Sequence, residues 1–203
     1  MKLLLILVIS FLSACAAKPV TLNGEMFVAT KGAGSYKLGS IRVIAISDKD
    51  FRKQVVANDN TISIVRNQIQ ERLKECPYQQ AGPTQEQLQQ AVNALDTESF
   101  KKWQSQTQCS LDVELFRKEG AYIAYTFKPT TETVTNADGK FTLTLPANDT
   151  YIILAQASRT VASDSDEEYD WMESVRITAT DKDLVLTNSN IKTPELILAG
   201  LHP

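Results

Sequence analysis

The stretch Val134-Thr135-Asn136-Ala137-Asp138-Gly139-Lys140-Phe141-Thr142-Leu143-Thr144-Leu145-Pro146 restricts the fold more than any other part of the chain. Phe141, Leu143 and Leu145 alternate with Thr142 and Thr144, so extended backbone puts apolar side chains on one face and hydroxyls on the other. Asn136 to Gly139 forms a turn in which Gly139 supplies a positive φ. A strand of this kind needs an antiparallel partner and an apolar layer over its inner face. Similar short runs occur at Thr21–Val28, Ile41–Ile46, Ala121–Phe127, Tyr151–Ala155, Val175–Ile177 and Leu184–Leu186. Seven or eight short strands joined by polar turns predict an antiparallel β-sandwich.

Between the second and third of these runs the period changes. Phe51, Val55, Ile62, Val65, Ile69, Leu73 and Cys76 fall three, four or seven residues apart, the stripe of an amphipathic helix from Asp48 to about Cys76. Cys76-Pro77 and Gly82-Pro83 end it. Thr84 and Gln87 then read as a capping box before Leu88, Val92 and Leu95. A break at Asp96-Thr97 precedes Phe100 and Trp103. Residues 48–119 are therefore expected as a helical insertion after the second strand, flanked by sandwich segments 21–47 and 120–203.

The first 14 residues resemble a secretory leader. Lys2 is followed by the ten-residue apolar run Leu3–Leu12, too short for the roughly 20 residues that span a bilayer. Leu12-Ser13-Ala14-Cys15 resembles the lipobox of bacterial lipoprotein signals. The resemblance implies cleavage before Cys15, acylation of its thiol and three acyl chains in the membrane, with residues 15–20 as a short tether. Single chains hold only marginally, so three imply lasting attachment. Ala16 stands where inner-membrane retention commonly has Asp, which implies the outer membrane, facing the periplasm. A Gram-positive host would place the same protein on its surface.

Export bears on the cysteines. After Cys15 only Cys76 and Cys109 remain, an even pair in an oxidising compartment and so an expected disulfide. One straight helix over 84–108 would carry Cys109 more than about 30 Å away at 1.5 Å per residue. A disulfide allows only about 4.4–6.8 Å between Cα atoms. The break at Asp96-Thr97 would fold the chain back. Closing the span from Cys76 to Cys109 would contribute roughly 3–4 kcal/mol in the chain-entropy model. Two free thiols are the alternative, which non-reducing mass spectrometry separates.

Thr135 to Pro146, with Tyr151 to Ala157 after it, also resembles the carboxypeptidase regulatory-like, or transthyretin-like, domain, whose pattern is T-D-A-D-G-x-F-x-L-x-L-P followed by Y-x-L-x-A. Gly24–Val28 and the run to Ile46 resemble its first hairpin. Asn136 replaces the usual Asp, and Asn148-Asp149-Thr150 the usual glycine; both are turn positions. The resemblance covers about 100 residues and implies a transthyretin-like or Ig-like sandwich. Domains of this type are commonly accessory or adhesion modules, and a fold alone does not license a chemistry.

The residues point the same way. Removing the first 14 of 203 residues leaves 189, room for one domain with an insertion, and the loss of Lys2 takes the net charge from −3 to −4. No basic run invites nucleic acid. His202 is the single histidine, near the end of the sequence, which argues against Ser-His-Asp, Cys-His and His-rich zinc sites. Gly32 and Gly34 lack the following helix of a phosphate loop. The acidic run Asp164-Ser165-Asp166-Glu167-Glu168, with Asp170, could offer oxygen ligands to Ca²⁺, but it lacks the glycine and spacing of a calcium loop and reads as a solvated loop. Tyr169 and Trp171 read as aromatic core or rim residues of a strand.

No catalytic residue, cofactor or metal is therefore assigned. The expected function is a non-catalytic, lipid-anchored envelope module presenting its helical insertion to a protein partner. Those helices could equally serve only to cap a sheet. The alternative is an envelope glycan or peptidoglycan hydrolase using carboxylates between Asp164 and Asp170.

Overall fold

The computed structural model describes residues 18–29, 34–75, 113, 115–162 and 165–201. Among these, eight strands make two four-stranded sheets packed face to face. In the first sheet, β1 (Pro19–Ala29) pairs antiparallel with β2 (Ser35–Lys37) and β5 (Lys140–Pro146), and parallel with β8 (Lys182–Leu186). The second has the order β4 (Thr131–Val134), β3 (Arg42–Ser47), β6 (Asp149–Ala162), β7 (Ser165–Ile177), antiparallel throughout. The chain is a β-sandwich with a helical insertion. The helices follow the third strand once the three-residue β2 is counted.

The alternating segment behaves as its pattern requires. Phe141, Leu143 and Leu145 are buried between the sheets, and Lys140, Thr142 and Thr144 are exposed. Gly139 has φ +73°, and the Asn136 side chain accepts hydrogen bonds from the backbone N–H groups of Asp138 and Lys140 at 3.0 and 2.9 Å. The opening hairpin differs from expectation. β1 turns back onto β2, while the run to Ile46 crosses to the other sheet as β3.

β3 and β6 are buried on both faces, which is why they read as unbroken apolar runs. Val43, Ala45, Ile153 and Ala155 face the first sheet; Ile44, Ile46, Ile152 and Leu154 face a layer of helices. That layer begins with α1 (Asp48–Ala57) and α2 (Asp59–Glu75). Phe51, Val55, Ile62, Val65 and Ile69 are all buried in it, as their spacing predicts. The expected single helix is two, broken at Asn58, whose side chain donates to the Gln54 carbonyl at 2.8 Å. The seven-residue gap between Val55 and Ile62 marks that break.

A larger correction concerns Ala121–Phe127, expected as a strand. Residues 115–125 form a helix, α3, and the chain returns to the sheets only at Thr131. Val113, Gly120, Ala121, Ala124 and Phe127 are buried at helical spacing, whereas Tyr122 is 57% exposed. Tyr, Ile, Thr and Phe favour strands, but packing against α2 and the sheet overrides that weak preference. α4 (Pro194–Gly200) completes the layer with Ile197 and Leu198. Arg66 on α2 donates to the Leu198 and Leu201 carbonyls at 3.0 and 3.1 Å, partnering the helix end. Among the described residues no helix is long and apolar enough to cross a membrane.

A polar groove between α3 and the outer sheet face

Register explains why the covered sheet face changes character along β6 and β7. Leu154 lies opposite Met172, Gln156 opposite Asp170, and Ser158 opposite Glu168. These pairs point towards the helices, apolar first and polar next. α3 covers the polar part incompletely and leaves a groove of about 550 Å³ lined by Lys118, Tyr122, Gln156, Ser158, Glu168 and Asp170. A smaller recess of about 200 Å³, bounded by Arg42, Ile44, Tyr125 and Leu154, shares Tyr122 and Gln156 with it. The two form one depression across β3, β6 and β7, with Tyr122 at the junction.

Asp170 is the half-buried acid of the groove. Gln156 Nε2 donates to its Oδ1 at 3.0 Å. Burial raises its pKa above the ordinary carboxylate value, and the negative charge of Glu168 adds to this. The nearby Tyr125 hydroxyl, the Gln156 amide and the charge of Lys118 oppose the rise. Tyr125 is pushed far above the phenol range, first by burial and then by the carboxylate of Asp170. It stays neutral, and its hydroxyl lies within donating distance of the Ala155 and Trp171 carbonyls, at 3.4 and 3.5 Å. Lys118 pairs with Glu168 at 2.5 Å, and Arg42 with Glu132 at 2.6 Å.

The acidic run is not the loop expected from its composition. From Ser165 it is part of β7, whose two-residue period sends Glu167 to one face and Glu168 and Asp170 to the other. Glu168 and Asp170 face the groove. Glu167 faces the other way, accepting from Arg159 at 2.6 Å and from the Tyr169 hydroxyl. Tyr169 stacks on the fully buried Trp171 with ring centroids 6.0 Å apart, an aromatic core pair as expected. Among the described residues no group of three or more His, Cys, Asp or Glu side chains could hold a metal ion. Cys15, Cys76, Cys109, Asp164, His202, the Thr84–Gln87 capping box and the Gly32 turn lie outside the described residues.

Gln156, Ser158, Lys118 and Tyr122 were not singled out by sequence. Their signal is the cross-strand register, which exists only once β6 and β7 are paired.

No protein-family model matches the chain, and no curated protein matches it. Among solved structures it is similar to a candidate carbohydrate-binding protein of Pseudomonas aeruginosa, with 13% identity, 85% of this chain and 90% of the other covered, and TM-score 0.43. It is also similar to the pilus backbone protein RrgB of Streptococcus pneumoniae, with 11% identity and TM-score 0.23. There the match covers 83% of this chain and 41% of the pilin. Neither likeness is close enough to carry a functional argument.

Proposed function

We propose that this chain is a lipid-anchored, non-catalytic binding module of the bacterial envelope, held at the outer membrane through Cys15 and using the groove beneath α3 as its binding face. The transthyretin-like motif around Asn136–Pro146 fits such an accessory role. The observation that carries the binding role is the groove itself: a concavity in the usual ligand-site range of roughly 300–1,000 Å³, with an exposed aromatic ring above convergent polar groups. The anchor rests on Leu12-Ser13-Ala14-Cys15. The described helices direct their apolar faces onto the sheet. This supports a capping role for α1, α2 and α3, with α3 also forming one groove wall, and moves the proposed contact with a partner from the insertion to the groove. In cells fed radiolabelled palmitate, the wild-type chain should carry label and sediment with membranes. Cys15→Ala should be unlabelled and soluble; a labelled Cys15→Ala protein refutes the anchor.

One observation favours the hydrolase as a second reading: Asp170 has a raised pKa and shares its strand face with Glu168. Against it, Asp170 accepts from Gln156, and Glu168 is paired with Lys118. Incubation with purified peptidoglycan should release no soluble fragments. Release that stops in Asp170→Asn would establish the hydrolase instead.

A further inference from the structure

We propose that the groove takes a neutral oligosaccharide, with one sugar ring against the exposed face of Tyr122 and its hydroxyls bonded to Gln156, Ser158 and Asp170. This rests on the groove being the binding face, and names the ligand class. Charge excludes the simplest competitors. The two cations in the depression are matched: Lys118 by Glu168 and Arg42 by Glu132. Glu119 also lines the groove, so with Asp170 the carboxylates outnumber the cations and a phosphate or carboxylate ligand is disfavoured. An apolar side chain laid over Ser158 and the remaining acceptor sites of Asp170 would bury them without partners, at a cost for each group.

A sugar hydroxyl both donates and accepts, and so do the amide of Gln156 and the hydroxyls of Ser158 and Tyr122. Asp170 adds acceptor capacity. Gln156 supplies one hydrogen bond to it, fewer than the roughly four lone-pair sites of a carboxylate. Tyr122 supplies what these groups lack, a flat apolar surface with a polar edge. Its place on α3, between the groove and the smaller recess, gives a chain of sugars a continuous path from Ser158 and Glu168 towards Ile44 and Arg42.

Calorimetric titration of the full chain, held in a detergent without sugar groups, tests this with cellotetraose, maltotetraose, chitotetraose and spermidine. At least one tetrasaccharide should bind. Tyr122→Ala, which removes an exposed side chain, should weaken it by about tenfold or more, while Tyr122→Phe stays within about threefold. Gln156→Ala should also weaken it, with thermal melting confirming that each variant is folded. Spermidine binding alone, lost in Tyr122→Ala, would keep the groove as the binding face and overturn the saccharide. Saccharide binding unchanged in both alanine variants would place the ligand elsewhere and overturn the groove. No heat from any probe overturns both.

Discussion

Gly24 lies directly opposite Phe141 in the β1–β5 ladder, and a Cβ at position 24 would run into the Phe141 ring. The ring covers the glycine because no side chain is there. Gly24→Ala should therefore destabilise by about 1–3 kcal/mol, the range for overpacking a filled core. At roughly 2–4 °C per kcal/mol for a chain of this size, calorimetric melting resolves it. Phe141→Leu in the same chain should recover part of the loss; no recovery would show that the ring is not the obstacle. Asp170 gives a second test at the groove. Its folded pKa lies above the ordinary value of 3.8, so ionisation opposes folding. The stability linked to the neutral form is fully present below about 3.8 and is lost as pH rises through the raised value. Asp170→Asn keeps the acceptor for Gln156 and cannot ionise. It should melt above wild type at pH 7, with a difference that shrinks as the pH falls to 4. A difference independent of pH would mean that the carboxylate's charge is not the cause.

At the level of elements, what was legible depended on whether one face or two are buried. β5 has one covered face and could be placed from its alternation, turn included. α1 and α2 could be placed from their stripe, because five apolar residues at helical spacing do not fit a strand. α3 could not. Its fully buried positions, Gly120, Ala121 and Ala124, are too small to register as an apolar stripe, and Phe116, Ile123 and Tyr125 are only partly covered. A Cβ at Gly120 would lie 2.6 Å from Leu198 Cδ2 and 2.8 Å from Val65 Cγ1, so closeness to α4 and α2, not bulk, decides this helix. α4 is a single seven-residue segment, too short to show a period at all. The candidate site followed suit: Asp170 could be suspected from its acidic neighbours, but its partners Gln156 and Tyr125 come from two other elements. The α2–α4 contact supplies an element-scale prediction. Arg66→Met keeps most of the apolar stem and removes both hydrogen bonds, to Leu198 O in α4 and to Leu201 O just after it. Chemical denaturation should show a loss of about 1–3 kcal/mol. Hydrogen exchange should rise in residues 194–201 well before β6; uniform loss of protection would contradict a local role.

For the whole molecule, the proposed anchor and the strand directions together fix which end faces the lipid. From Cys15 to Lys18 the chain can reach only about 10 Å. Lys18 sits at one end of the sandwich, where its carbonyl accepts from Ala147 N–H at 3.1 Å and Asn148 N–H donates to Ile177 O at 2.9 Å. The Ala147-Asn148 turn and the Thr178–Asp181 connection therefore share the end from which the tether leaves. β6 starts there at Asp149 and runs away from it, so Gln156 stands about 23 Å further along at 3.3 Å per residue. A sandwich held end-on would lift the groove clear of the headgroups and leave it open to the periplasm. The acylated chain in nanodiscs containing gadolinium-chelating lipid tests this without any mutation, because relaxation enhancement falls steeply with distance. Amide signals of Thr178 to Thr180 should broaden most, and those of Gln156 and Ser158 should persist. Equal broadening at both places would mean that the sandwich lies on its side. Loss of the Gln156 and Ser158 signals first would put the groove against the membrane and leave an oligosaccharide no way in.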